Sequence, residues 1–103
     1  MTVVRSKFDF EQLSLRLERN HQCVLRLSKN LSSYTYEPKN YECFTRLREL
    51  KNAFSDLAEK QKELFDKMQH QLVTIDVARE AVEQSIEHYH KLEKGMAKYL
   101  LDL

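Results

Sequence analysis

One glycine, one proline and no tryptophan occur in these 103 residues. Tight turns draw heavily on glycine and proline, so the chain has few turns. Sandwiches, barrels and βαβ folds need a turn about every ten residues and are excluded. Cysteine is scarce as well. Cys23 and Cys43 have no CxxC spacing and are too few for a disulfide scaffold, so two free thiols in a reducing, cytoplasmic setting are expected. No apolar run approaches the ~20 residues that span a bilayer. The N-terminus, Met1-Thr2-Val3-Val4-Arg5, lacks the apolar core of a signal peptide. There is no glycine-rich phosphate loop and no interpretable Ser-His or Cys-His spacing. Neither an enzyme nor a bound cofactor is expected. The formal net charge is only +1, without the basic excess of a nucleic-acid binder.

What the chain has is helical periodicity. Phe10, Leu13, Leu17, Val24, Leu27, Leu31 and Tyr34 step by three and four, with Asn20 in the one polar gap. Asp9 and Gln12 resemble a capping box near the start. These residues predict a first helix over about 6–33. The only cluster of helix breakers follows, Ser32-Ser33-Tyr34-Thr35-Tyr36-Glu37-Pro38-Lys39-Asn40. Pro38 removes a helical hydrogen bond and pushes Glu37 out of the α region, which places a connection at 33–39.

A second, longer pattern runs from residue 40 to 103. With Leu47 at heptad position a, the a series is Leu47, Phe54, Gln61, Met68, Ile75, Val82, Tyr89, Met96 and Leu103. The d series is Leu50, Leu57, Leu64, Gln71, Ala78, Ser85, Leu92 and Tyr99. Only Gln61, Gln71 and Ser85 interrupt it. Ala58, Phe65, Leu72, Ile86 and Leu100 widen the seam at position e, and a wide seam faces more than one neighbour. Gly95 and the β-branched run Val73-Thr74-Ile75 are mild weak points. The expected fold is all-α: a single module over residues 1–103, an antiparallel helical hairpin with one long coiled-coil helix, completed by dimerisation or a partner helix.

The two arms are unequal. A helix over 40–103 spans about 95 Å and one over 6–33 about 42 Å. The short arm covers only half of the long one, leaving the seam beyond Met68 bare. A large exposed apolar stripe marks an interaction site. Met68, Ile75, Val82, Tyr89, Leu92, Met96 and Tyr99 are therefore the expected interface, facing a second copy or another helical subunit. The function expected is protein binding as a scaffold.

Other residues carry weaker signals. Asn20, Gln61, Gln71 and Ser85 either set register and partner choice or mark water-exposed patches. Glu87 and His90 share a helical face, a Glu-x-x-His pair of the kind that holds metal in bundles. Both lie off the seam, and no metal is expected. In a hairpin turning near residue 36, Cys23 and Cys43 are too far apart to bridge. Residues 1–30 carry six basic and three acidic side chains. Arg5, Arg19 and Arg26 form one stripe there, either a solvated face or a contact for anionic lipid. Tyr34, Tyr36 and Tyr41 gather at the connection, where packing is expected.

The stretch Leu47-Arg48-Glu49-Leu50-Lys51-Asn52-Ala53-Phe54-Ser55-Asp56-Leu57-Ala58-Glu59 resembles the BAR-domain superfamily. Arfaptins and sorting nexins carry a similar small–Phe–Ser/Ala–Asp/Glu–Leu–small run near the end of their first long helix. A following long helix ends there in a Tyr-Leu pair, as Tyr99-Leu100 does here. The resemblance covers about 50 residues. It implies antiparallel dimers that sense or bend membranes in vesicle traffic.

Overall fold

In the computed structural model the described residues, 2–33 and 41–102, form three helices and no strand. They are α1 (Thr2–Ser33), α2 (Tyr41–Gln69) and α3 (Ile75–Leu101). The body measures 60 × 19 × 18 Å. The all-α class is as expected. The single long helix over 40–103 is not what forms: the chain breaks at residues 70–74 and α3 folds back. The expected connection at 33–39, with Tyr34 and Tyr36, lies outside the described residues apart from Ser33, which closes α1. α1 also starts earlier than Asp9 and Gln12 suggest, at Thr2.

The break is built without glycine or proline. Gln71 takes a left-handed backbone, φ 54°. Its N–H donates to the Met68 carbonyl at 3.2 Å, and the Leu72 N–H donates to the Lys67 carbonyl at 2.8 Å. This pair of bonds is a Schellman cap, usually made with glycine at the left-handed position. Thr74 then caps α3. Its backbone is extended and its hydroxyl accepts from the Val77 N–H at 3.3 Å, meeting one of the orphan donors of a helix start. Asp76 in the first turn complements the helix dipole. Val73 and Ala78 occupy the two positions of a hydrophobic staple and join the same apolar cluster.

Two apolar clusters hold the helices. One gathers Val24 and Leu31 of α1, Phe54, Leu57 and Ala58 of α2, and Tyr89 and Met96 of α3. The other gathers Leu13 and Leu17 of α1, Met68 of α2, and Ala78 and Val82 of α3. Late α1 thus meets early α2 and late α3, while early α1 meets late α2 and early α3. The chain runs up, down and up. Arg46 ties the two ends of the α2–α3 pair, donating to Asp102 at 3.0 Å and lying 5.6 Å from the centre of the Tyr99 ring.

Two substitutions test this packing. Phe54 is fully buried, so Phe54→Ala loses about 3–5 kcal/mol in denaturant unfolding. A methyl on Gly95 meets Leu50 Cδ2 at 3.5 Å, ordinary van der Waals contact. Gly95→Ala therefore gains about 1 kcal/mol from helix propensity and raises Tm by roughly 4–8 °C.

Candidate functional site: a polar layer, a hinge and the α2–α3 face

A polar layer separates the two apolar clusters, and each helix contributes to it. Gln61 of α2 is its centre, with 1% of its surface exposed. Its Nε2 donates to Asn20 Oδ1 of α1 at 2.8 Å and to Ser85 Oγ of α3 at 3.0 Å. Both amide protons are then used, so its Oε1 is left as an acceptor. His21 Nδ1 stands 2.9 Å from that oxygen and must carry the proton. The His21 ring, 8% exposed, also meets Phe65 edge to face at 6.3 Å. Among the described residues, no buried side-chain nitrogen or oxygen lacks a partner.

Of the four polar interruptions seen in the sequence, Asn20, Gln61 and Ser85 come together in this layer. Gln71 does not: it is the left-handed residue of the hinge. His21 belongs to the layer and was missed. It lies four residues after Leu17 and three before Val24, and that spacing is the signal for a core position.

The expected interface is placed inside the molecule. Met68, Val82, Tyr89, Met96 and Tyr99 are buried, and Ile75 and Leu92 are half-buried against the clusters. The reason is the break at 70–74: once α3 turns back, its seam meets α1 and α2 of its own chain. The large apolar side chains left exposed lie mostly near the ends of the body. Phe8, Leu72 and Val77 are at one end, Tyr41, Phe44 and Leu101 at the other, and Leu15 and Leu25 along α1.

The α2–α3 face, away from α1, carries two hollows in line. One, about 330 Å³, is lined by Leu57, Lys60, Leu64, Ala81, Ser85 and His88 among others. The other, about 310 Å³, lies between Arg46, Leu50, Ala53, Leu92, Gly95 and Lys98. Their floor is small or apolar and their rim charged. Ser85 links this face to the polar layer, because its hydroxyl accepts from Gln61 while lining the first hollow.

The remaining candidates stand apart. Arg19 and Arg26 are exposed on α1, whereas the side chain of Arg5 lies outside the described residues. Arg16 pairs with Glu83 across α1 and α3 at 3.9 Å. His90 contacts Glu93 at 3.4 Å, and among the described residues no group of three metal-ligating side chains forms. Cys23 and Cys43 form no disulfide. No helix among the described residues is long and apolar enough to cross a membrane. Tyr89 donates to Glu93 at 3.1 Å. Burial, and then that carboxylate, push its phenol up to about 12. Burial raises Tyr99 as well, with Arg46 opposing. No family model, curated protein or solved structure matches the chain.

The polar layer makes a two-step prediction. Gln61→Leu strands His21, Asn20 and Ser85 and destabilises by about 2 kcal/mol or more. Adding His21→Leu, Asn20→Leu and Ser85→Ala recovers much of that loss, as urea unfolding will read. The phenol of Tyr89 gives a pH dependence. Its ionisation lies above that of an unfolded tyrosine, so the folded state holds its proton longer. Stability is full below about pH 10 and falls as pH rises towards about 12. Tyr89→Phe flattens that fall in thermal melts taken across this window.

Proposed function

We propose that this chain is a non-enzymatic helical interaction module, a scaffold or adaptor subunit of membrane-trafficking or cytoskeletal machinery. Its α2–α3 face receives a helix of another subunit. The observation that carries this reading is the pair of hollows in line along that face, with Ala53, Ala81, Ser85 and Gly95 among their lining residues. Small side chains let helix axes approach to about 8 Å. An apolar floor inside a charged rim is the usual anatomy of a protein interface. The reading keeps protein association as the function and moves it from the seam of Met68, Ile75, Val82, Tyr89, Leu92, Met96 and Tyr99 to this outer face. The trafficking setting rests on the resemblance of residues 47–59 to the BAR superfamily.

Site-specific photocrosslinking in cells tests it. A photoreactive residue at Gln84, beside the first hollow, is expected to trap one defined partner. The same residue at Gln22, exposed on α1, is expected to trap none. Equal or absent labelling from the two positions refutes the reading.

A BAR-like dimer that binds or senses curved anionic membrane is the second reading. It rests on the resemblance of residues 47–59 to that superfamily. Arg19 and Arg26, exposed on α1, are the lipid-facing residues in this case. Liposome sedimentation decides it: binding to anionic vesicles that drops in Arg19→Glu plus Arg26→Glu supports a membrane role, and no binding by the unaltered chain ends it.

A further inference from the structure

The hinge between α2 and α3 has an unusual relation to the seam. Turns ordinarily interrupt the heptad count, but here the count passes straight through. Met68, Gln71, Ile75 and Ala78 are successive a and d positions, and Met68 and Ala78 are buried on either side of the break. The five hinge residues, His70-Gln71-Leu72-Val73-Thr74, include no glycine and no proline. Gln71 is held left-handed at φ 54°, a conformation that costs any residue with a Cβ. Leu72, at position e of the same count, is left 69% exposed. Every one of these residues is compatible with a continuous helix.

We propose that the hinge straightens, α2 and α3 become one helix, and two copies of the chain exchange their α3 segments. Each half of the resulting dimer contains α1 and α2 of one chain and α3 of the other. Both apolar clusters are rebuilt unchanged. So is the polar layer, with Asn20, His21 and Gln61 from one chain and Ser85 from its partner. The occupant of the vacated core is a second copy because only α3 of this sequence supplies Ala78, Val82, Ser85, Tyr89 and Met96 in the required register. Closed monomer and exchanged dimer differ chiefly at the hinge. Opening relieves Gln71 and brings the two Leu72 side chains towards the centre of the dimer. It gives up the Schellman bonds and the Thr74 cap, and it costs the freedom of one molecule. The balance therefore depends on concentration. The rod so formed is about 90 Å long. The proposal stands independently of the α2–α3 face, which is the same in both states.

Light scattering during size exclusion, over a range of concentrations and after refolding from concentrated denaturant, reads the equilibrium. Gln71→Gly eases the left-handed turn and disfavours the rod, so the dimer dissociation constant rises about tenfold or more. Ile75→Pro has a sharper effect. Thr74 already has the extended backbone that precedes proline, φ −74° and ψ 162°, and residue 75 is the first of α3, where proline is tolerated. In a continuous helix the same proline is forbidden. This variant is expected to be monomeric, whereas Ile75→Ala, which loses the packing alone, still dimerises. Gln71→Ala plus Thr74→Ala removes the cap and favours the rod, lowering the dissociation constant about tenfold.

Exchange is distinguished from side-by-side pairing by a chemical bridge. Arg16 and Glu83, exposed and 3.9 Å apart at their tips, are replaced by cysteine in a chain carrying Cys23→Ala and Cys43→Ala, and joined with a short bismaleimide. In the exchanged dimer the bridge links two chains and runs as a covalent dimer on a denaturing gel. A strictly monomeric chain at every concentration, refolded or not, overturns the proposal. So does a dimer whose bridges all stay within one chain. If the Gln71→Ala plus Thr74→Ala variant fails to fold by circular dichroism, the refolded unaltered chain and Ile75→Pro decide alone.

Discussion

The carboxamide of Gln61 fixes the arrangement of the whole bundle. It is buried where the middles of three helices meet, and it is satisfied from both other helices at once. Hydrophobic contacts are forgiving: a helix slid by one turn, about 5.4 Å, still buries leucines against leucines. Gln61 is not forgiving. Such a slide withdraws Asn20 and His21 or Ser85, and an unpaired amide in a low-dielectric core costs far more than a lost methyl contact. The layer thus adds little net stability and excludes the neighbouring registers, as buried polar positions do in coiled coils.

The layer also divides the bundle into two ends with different closures. Beyond it on one side, Arg46 of α2 reaches Asp102 and the Tyr99 ring of α3. On the other side α2 turns into α3 through the Schellman pair and the Thr74 cap, and Arg16 of α1 reaches Glu83 of α3. The Schellman pair holds only as long as Gln71 stays left-handed, and the cap only as long as Thr74 stays extended. The hinge itself reorganises through the torsions of a few residues, whereas moving α3 away also breaks the packing of Ala78 and Val82 with Leu13 and Leu17.

The helical class and the residues of the apolar seam were legible from periodicity, though not what the part of the seam beyond Met68 packs against. Leu13, Leu17, Val24 and Leu31, then Phe54, Leu57, Met68, Val82, Tyr89, Met96 and Tyr99, are all buried where the three-and-four spacing puts them. The break at 70–74 was not legible. Its left-handed residue is glutamine, so the strongest marker of a helix end is missing. The β-branched run Val73-Thr74-Ile75 was visible, but a weak propensity signal does not by itself identify an N-cap. The cap is recognised only with Asp76 and the Val77 N–H behind Thr74. The polar layer was half legible. Asn20, Gln61 and Ser85 stood out as seam interruptions, but periodicity along one chain cannot tell which interruptions will meet. His21 escaped because Asn20, its neighbour, already accounted for the gap.

The misplaced interface has the same origin, and it bears on what the seam can mean. An apolar heptad run specifies that something must cover it; it does not specify whether the cover is the chain's own helix or another's. Here the identical surface, Met68 to Tyr99, is core when the hinge is bent and would be shared between chains when it is straight. What selects between them is the effective concentration of a chain's own α3, set by a hinge of five residues, against the real concentration of a second copy's. A short tether gives the closed form a large advantage, and the left-handed glutamine takes part of that advantage back. A glycine at residue 71 would have made the closed form secure. Its absence is what leaves a three-helix bundle carrying the unbroken register of a rod.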